Sequence, residues 1–115
     1  MRSRLALALA LLAAGSSWAA PPQGSLTRGE QLAREICSAC HVVAKNQEYP
    51  PLLVEPAPAF ADIARRPNTT LKSLRHFIRS THWDMQRIPM SMPNPMLTDD
   101  ETSAVAQYIL SLKSP

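Results

Sequence analysis

Two cysteines and a histidine form the most chemically specific feature of the sequence. Cys37-Ser38-Ala39-Cys40-His41 places two thiols three positions apart, with an imidazole directly after the second. Thiols so spaced at the end of a helix can add to the two vinyl groups on one edge of a porphyrin, and the adjacent histidine can then reach the iron. This is the recognised pattern for c-type haem attachment. The sequence therefore predicts one covalent haem c held by Cys37, Cys40 and His41.

Other uses of the same cysteine pair stay open at this point. A disulfide would close a minimal loop and would stabilise the fold little. A thioredoxin-like pair belongs at a helix N-terminus beside a βαβ pattern, whereas this pair ends a predicted helix and the sequence has no strand pattern. A zinc site needs a second pair of ligands, for which only His76 and His82 remain.

The N-terminal segment has the pattern of an export signal. Met1-Arg2-Ser3-Arg4 precedes an apolar run from Leu5 to Ala14, which is too short to span a bilayer, and small residues suited to cleavage follow at Ser17-Trp18-Ala19. We expect residues 1–19 to be a cleaved signal peptide and residues 20–115 to form one domain. The protein is then periplasmic, with no transmembrane segment after leader removal. An uncleaved N-terminal anchor is the alternative.

Charge and size limit the function further. The formal net charge is +3, and Arg2 and Arg4 of the leader supply two of these charges. Nucleic-acid binding normally needs a strong basic surplus, so we expect no nucleic-acid partner. The mature chain suits one compact domain but is small for a self-sufficient hydrophobic core, so a cofactor is expected to support the fold.

Helical patterns account for all of the predicted regular structure. A capping box at Thr27-Arg28-Gly29-Glu30 predicts a helix to about Cys40. Shorter helices are predicted over Ala59 to Arg66 and, capped by Asn68 or Thr69, over Thr70 to about Thr81. A second capping box at Thr98-Asp99-Asp100-Glu101 starts the last helix. The expected apolar faces contain Leu32, Ala33 and Ile36, then Leu71, Leu74 and Ile78, and finally Val105, Tyr108, Ile109 and Leu112.

Beyond the motif, the chain resembles the small class I c-type cytochromes of bacteria over nearly all of Leu26 to Lys113. Gly29, Ala33 and Cys37 have the spacing of that family's first helix, and Tyr108 is similar to the aromatic residue that crosses it from the last helix. The resemblance implies an all-α cytochrome c fold. In that fold the N- and C-terminal helices cross, and one or two further helices wrap round a single covalently bound haem.

The resemblance also implies a methionine sulfur as the second axial ligand of the iron. Prolines keep the segment from Trp83 to Leu97 non-helical, and it holds four methionines. Met92 is our choice, because it precedes a proline and stands at the family's offset from the Thr98 cap. Met90 is its nearest rival, while Met85 and Met96 are expected to pack as apolar filler. A site with His82 as ligand, and an open five-coordinate site, stay as alternatives.

The proline-rich stretch after the motif resembles the part of the family that supports the axial histidine. Pro58-Ala59-Phe60 is similar to its Pro-x-Leu pattern, in which the proline carbonyl accepts a hydrogen bond from the histidine ring. The apolar residue two positions later then lies on the haem. The resemblance thus implies cofactor-binding roles for Pro58 and Phe60, with Pro56 as the alternative to Pro58.

If His41 and Met92 both bind the iron, no position is left for a substrate or for oxygen. Such a site exchanges one electron with little reorganisation. We therefore expect a non-enzymatic periplasmic electron carrier, acting as a shuttle or as a small subunit of a respiratory redox complex, with redox proteins as partners. The alternatives are a haem-based sensor or small-ligand binder with a displaceable axial ligand and, last, a peroxidase-like enzyme.

Overall fold

The computed structural model describes residues 23–80 and 92–113, together with Gly15. The predicted cleavage site lies outside the described residues, and so do His82, Met85 and Met90. The division into leader and mature domain accordingly stays a prediction.

Four α-helices make up the regular structure of the described residues. They are α1 (Gln23–Leu32), α2 (Phe60–Arg65), α3 (Leu71–Arg79) and α4 (Asp99–Ser111), and α1 runs directly into a π-helical turn over Ala33–Cys37. Helix α4 packs against each of the other three. The predicted all-α fold is therefore confirmed, with the last helix at its centre. No helix in the described ranges is long and apolar enough to cross a membrane.

The first helix begins earlier than its capping box predicted. Thr27 lies inside α1, which starts at Gln23. Nothing between Gln23 and Thr27 forbids a helical backbone, and the nearest prolines in the sequence, Pro21 and Pro22, stand before the start. A capping pattern is a signal for a helix start only where no helix already precedes it, so this boundary was wrong.

The end of the same helix changes its winding before the cysteine motif. In the π-helical turn the backbone bonds reach one residue further than in an α-helix, so side chains four positions apart no longer share a face. Leu32 and Ala33 are buried as predicted, but Ile36 is 42% exposed. The prediction that Ile36 lies on the buried face was wrong because it assumed one uninterrupted α-helix.

Helices α1 and α4 meet at a glycine. A Cβ placed on Gly29 would collide with the carbonyl oxygen of Ala104 and would lie 2.8 Å from the Cβ of Tyr108. Only a residue without a side chain lets the two backbones approach this closely. The crossing of N- and C-terminal helices, implied by the resemblance, is thus present and is centred on Gly29.

Hydroxyl side chains cap the two longer helices of the second half. Thr98 caps α4, and Glu101 closes its capping box as predicted. Helix α3 is capped by Thr70 with Ser73 rather than by either predicted residue. The hydroxyl of Thr69 donates instead to the carbonyl of Ile63, at 2.7 Å, which leaves the next threonine to cap the helix.

The apolar faces of these helices build the core. The predicted inward residues Leu74, Ile78, Val105, Tyr108 and Ile109 are all buried. Leu71 is 36% exposed, contrary to prediction. It is the first residue of α3, where the chain enters the helix from the surface.

Candidate haem-attachment site

The cysteine motif folds into a tight turn at the end of the first helix. The carbonyl of Cys37 accepts hydrogen bonds from the backbone N–H groups of Cys40, at 3.1 Å, and His41, at 2.9 Å. The hydroxyl of Ser38 also donates back into the helix, to the carbonyl of Arg34 at 2.6 Å. The two thiols and the imidazole are therefore presented by one short, hydrogen-bonded piece of backbone.

The proline-rich segment runs alongside this turn and is fixed to it by backbone bonds. The N–H of Leu52 donates to the carbonyl of Ala39, and that of Ala57 donates to the carbonyl of Cys40, each at 2.9 Å. His41 and Ala57 form an isolated parallel bridge. The segment has no helix or strand of its own between residues 42 and 59, yet its position relative to the motif is determined by these bonds.

The histidine of the motif is held in one orientation. His41 is only 9% exposed, and its Nδ1 lies 2.7 Å from the carbonyl oxygen of Pro58. A carbonyl oxygen can only accept, so Nδ1 must carry a proton, and in the neutral imidazole Nε2 then keeps its lone pair. The arrangement leaves Nε2 as a neutral donor atom, which is the form that metal-ligating histidines take.

Two residues named by the resemblance lie beside His41. The hydrogen bond goes to Pro58, so the alternative acceptor Pro56 is not used. Phe60 is buried, and its ring lies 5.3 Å from the His41 ring at an angle of 53°. Both residues belong to the support of the histidine, while contact of Phe60 with a haem stays a prediction.

The thiols do not have the properties of a redox-active pair. Cys37 and Cys40 are both half-buried free cysteines. Burial, and to a lesser extent the charge of Cys40, raise the pKa of the Cys37 thiol to about 11. Reactive cysteines of the thioredoxin type need a lowered pKa and a helix N-terminus, and Cys37 has neither. This environment disfavours the thioredoxin-like interpretation.

The methionine segment is described from Met92 onward. Met92 is half-buried, and residues 92–98 form an irregular segment that ends at the Thr98 cap. Met96 is 84% exposed and adopts a φ of 57°, in the left-handed region that few side chains favour. The expectation that Met96 packs as apolar filler was therefore wrong, because its side chain lies almost wholly in solvent.

Sequence reasoning missed one residue that braces the motif. The side chain of Gln47 accepts from the N–H of Val43, at 2.8 Å, and donates to the carbonyls of Tyr49, at 2.7 Å, and Ser38, at 3.4 Å. It thus joins the turn of the motif to the loop that follows. A lone glutamine in a loop has no spacing or periodicity, so no pattern in the sequence could identify it.

The donor set fits a c-type haem better than a metal ion held by protein alone. Over the described ranges no group of three or more His, Cys, Asp or Glu side chains could hold a metal. Two adjacent thiols with one oriented Nε2 are instead what a covalently attached porphyrin needs. Within these ranges the buried Nε of Arg75 has no hydrogen-bond partner, so this N–H group could donate to an acidic group of a bound cofactor.

The helical fold and this site define a protein that carries a c-type haem. Residues 26–113 match the family described as Cytochrome c. The chain is also 34% identical over 109 residues to cytochrome c-552 of Bradyrhizobium diazoefficiens, an alignment that covers 95% of this chain and 92% of that protein. No solved structure matches.

The chain belongs to the cytochrome c family. Its class is the small bacterial class I c-type cytochrome predicted from the sequence, and its cofactor is covalently bound haem c, for which Cys37 and Cys40 fit the attachment motif. Proteins of this family carry electrons between redox partner proteins. The coarse function is therefore haem-based electron transfer.

Proposed function

We propose that this protein is a periplasmic electron carrier with a six-coordinate haem c, ligated by Nε2 of His41 and the sulfur of Met92. The observation that carries the proposal is the 2.7 Å hydrogen bond from His41 Nδ1 to the Pro58 carbonyl. It fixes the tautomer in which Nε2 can bind iron. Cys37 and Cys40 attach the haem, and Phe60 contributes an apolar surface beside the histidine.

The bound haem supplies one-electron exchange at its iron. The chain's own residues keep that exchange fast by keeping the ligands still. His41 is held by Pro58, by the backbone of its own turn and by the Phe60 ring. A ligand that stays in place in both oxidation states adds little reorganisation, and a neutral thioether favours the reduced form and so raises the potential.

Met92 is the proposed second ligand because of its place in the chain. It is half-buried, and it lies in the irregular segment that ends at the observed cap of α4, Thr98. Met96, four residues further on, is exposed. Met90 lies outside the described residues and remains the rival ligand.

Arg75 is the proposed contact of a haem propionate. Its Nε is buried and has no acceptor among the described residues. Arg79, one turn further along α3, is already paired with Asp99 at 3.0 Å. A propionate would give the Nε of Arg75 a charged acceptor, which the described residues do not provide.

The proposed cellular location rests on the predicted leader. Residues 1–19 are proposed to direct export, after which the domain works in the periplasm as a free shuttle or as a small subunit of a respiratory redox complex. Its partners are redox proteins that give and accept one electron at a time. With both axial positions taken by side chains, the protein has no site for a substrate and is not an enzyme.

The test is spectroscopic, on the protein expressed with its leader and purified from the periplasm. A pyridine haemochrome assay should show haem c with both thioether bonds. The ferric and ferrous spectra should be low-spin, and the native ferrous protein should fail to bind carbon monoxide rapidly. A high-spin ferric spectrum or rapid carbon monoxide binding would overturn the six-coordinate carrier in favour of a ligand-binding sensor.

A further inference from the structure

The side chain of Asn94 joins the methionine segment to the end of α3. Its Nδ2 donates to the backbone carbonyl of Arg79, at 3.3 Å. Arg79 is the last residue of α3, and the last carbonyls of a helix have no partner inside it. Asn94 therefore satisfies one of these carbonyls and ties the segment after Met92 to a rigid element.

The other end of the same amide shapes the segment itself. Oδ1 of Asn94 accepts from the N–H of Met96, at 2.9 Å, which is the local turn that asparagine side chains form with the backbone two residues on. Met96 is held there at a φ of 57° although its side chain is 84% exposed. Packing of an exposed side chain cannot hold this strained backbone. The hydrogen bond that the Met96 N–H donates to Asn94 therefore supports it.

A second contact closes the same region from the other side. The guanidinium of Arg79 pairs with Asp99, the first residue of α4, at 3.0 Å. Arg79 thus contacts the methionine segment through its carbonyl and the following helix through its side chain. Leu97, between these contacts, packs against the core. The residues just after Met92 are consequently fixed at both ends.

We propose that Asn94 is a positioning residue that keeps the Met92 sulfur at the iron, an inference that rests on the proposed His41 and Met92 ligation. A thioether is an uncharged ligand, and it competes with added ligands only as long as the chain holds it in place. Its local concentration depends on how tightly the segment is tied. Removing a hydrogen bond of Asn94 should therefore make the Met92 sulfur easier to displace by an added ligand, although Met92 itself is still present.

The experiment measures displacement of the methionine by imidazole in the ferric holoprotein. Asn94→Ala removes both bonds, whereas Asn94→Asp keeps the acceptor for Met96 and loses the donor to Arg79. Asn68→Ala is the matched control, since the exposed Asn68 accepts from Ser73 through its backbone carbonyl and its side chain has no hydrogen bond to the described residues. We expect Asn94→Asp to bind imidazole about tenfold more tightly than wild type, the effect of ~1.4 kcal/mol from one lost hydrogen bond. Asn94→Ala, which loses both bonds, should bind imidazole at least as tightly as Asn94→Asp.

The outcomes separate this inference from the proposed function. Imidazole affinity equal to wild type in both Asn94 variants would overturn it, and an effect in Asn94→Ala alone would overturn the role of the tie to Arg79. Helical circular dichroism establishes that each variant is folded, and Asn94→Asp provides a second test if Asn94→Ala does not fold. If wild type itself shows no methionine-to-iron charge-transfer band, the ligation proposal fails, whatever the Asn94 variants do.

Discussion

The hydroxyl of Tyr108 on α4 donates a buried hydrogen bond of 2.8 Å to the backbone carbonyl of Val43, two residues after His41. The same ring lies 6.5 Å from the ring of Phe60, which in turn contacts His41. The C-terminal helix therefore supports the histidine from two directions. The crossing of α1 and α4 and the orientation of the axial histidine are parts of one packed unit.

Replacing Tyr108 by phenylalanine should separate the hydrogen bond from the packing. Tyr108→Phe keeps the ring but leaves the Val43 carbonyl without this donor, so we expect a loss of about 1–2 kcal/mol in the free energy of unfolding at pH 7. Urea unfolding of the holoprotein measures this. An unchanged midpoint would show that the bond contributes no net stability.

The same variant should change the alkaline dependence of stability. Burial raises the pKa of Tyr108 in the folded protein. The unfolded chain then loses its phenol proton first as the pH rises past about 10, so folding becomes less favourable there. Tyr108→Phe should lose less stability than wild type between neutral pH and this range. Equal losses in the two proteins would contradict a role for Tyr108 ionisation.

The glycine at the helix crossing should tolerate no side chain. Gly29→Ala puts a Cβ into the carbonyl of Ala104, so the helices must separate, at a cost of about 1–3 kcal/mol. Gly24→Ala is the matched control in the same helix, because nothing lies within 4 Å of its added Cβ. Thermal unfolding should show a lower midpoint for Gly29→Ala and no loss for Gly24→Ala. Similar midpoints for both variants would contradict the close crossing.

Removing the side chain of Gln47 should loosen the loop around the motif. Gln47→Ala loses three hydrogen bonds, to Val43, Tyr49 and Ser38, and should lower the free energy of unfolding by about 1–3 kcal/mol. Gln31→Ala is the control, because that side chain makes an exposed bond to Glu35 on the helix surface. Equal stabilities of the two variants in urea would show that Gln47 does not brace the motif.

The cap of α4 should give the protein part of its acid sensitivity. The backbone and side chain of Thr98, and then Arg28, lower the pKa of Glu101 below its ordinary value. Its stabilisation is therefore complete above the ordinary glutamate pKa and is lost as the pH falls through the lower, folded-state value. Glu101→Gln should flatten the fall in stability below about pH 4.5, whereas Glu48→Gln, at an exposed loop position, should leave it unchanged. A wild-type acid profile in Glu101→Gln would contradict this.

Local chemistry explains which parts of the fold could be predicted from the sequence. The Thr98 box and the apolar positions of α4 are short-range signals, and both were confirmed. Ile36 was misplaced because the π-helical turn arises where α1 must end at the motif, and its sequence does not differ from that of an ordinary helix. The crossing at Gly29 was recognised through the family, while its cause, contact with Ala104, is a long-range one.

The residues of the site also differ in how far the sequence could predict them. Cys37, Cys40 and His41 are adjacent, so their chemistry could be predicted from spacing alone. Pro58 was predicted from the resemblance. Every residue has a backbone carbonyl, so composition alone cannot identify which one accepts the hydrogen bond. Gln47 and Asn94 act through amide side chains in loops that have no periodicity. Residues of this kind become visible only when the hydrogen bonds are known.

The most direct test of the account is the ferric absorption spectrum of Met92→Ala beside that of Met96→Ala. Both changes remove a thioether from the same segment, but Met96 is 84% exposed whereas Met92 is half-buried. We predict that Met92→Ala loses the methionine-to-iron charge-transfer band and that Met96→Ala keeps it. A Met92→Ala protein that retains the band would contradict His41 and Met92 ligation, and with it the closed six-coordinate site on which the electron-carrier function depends.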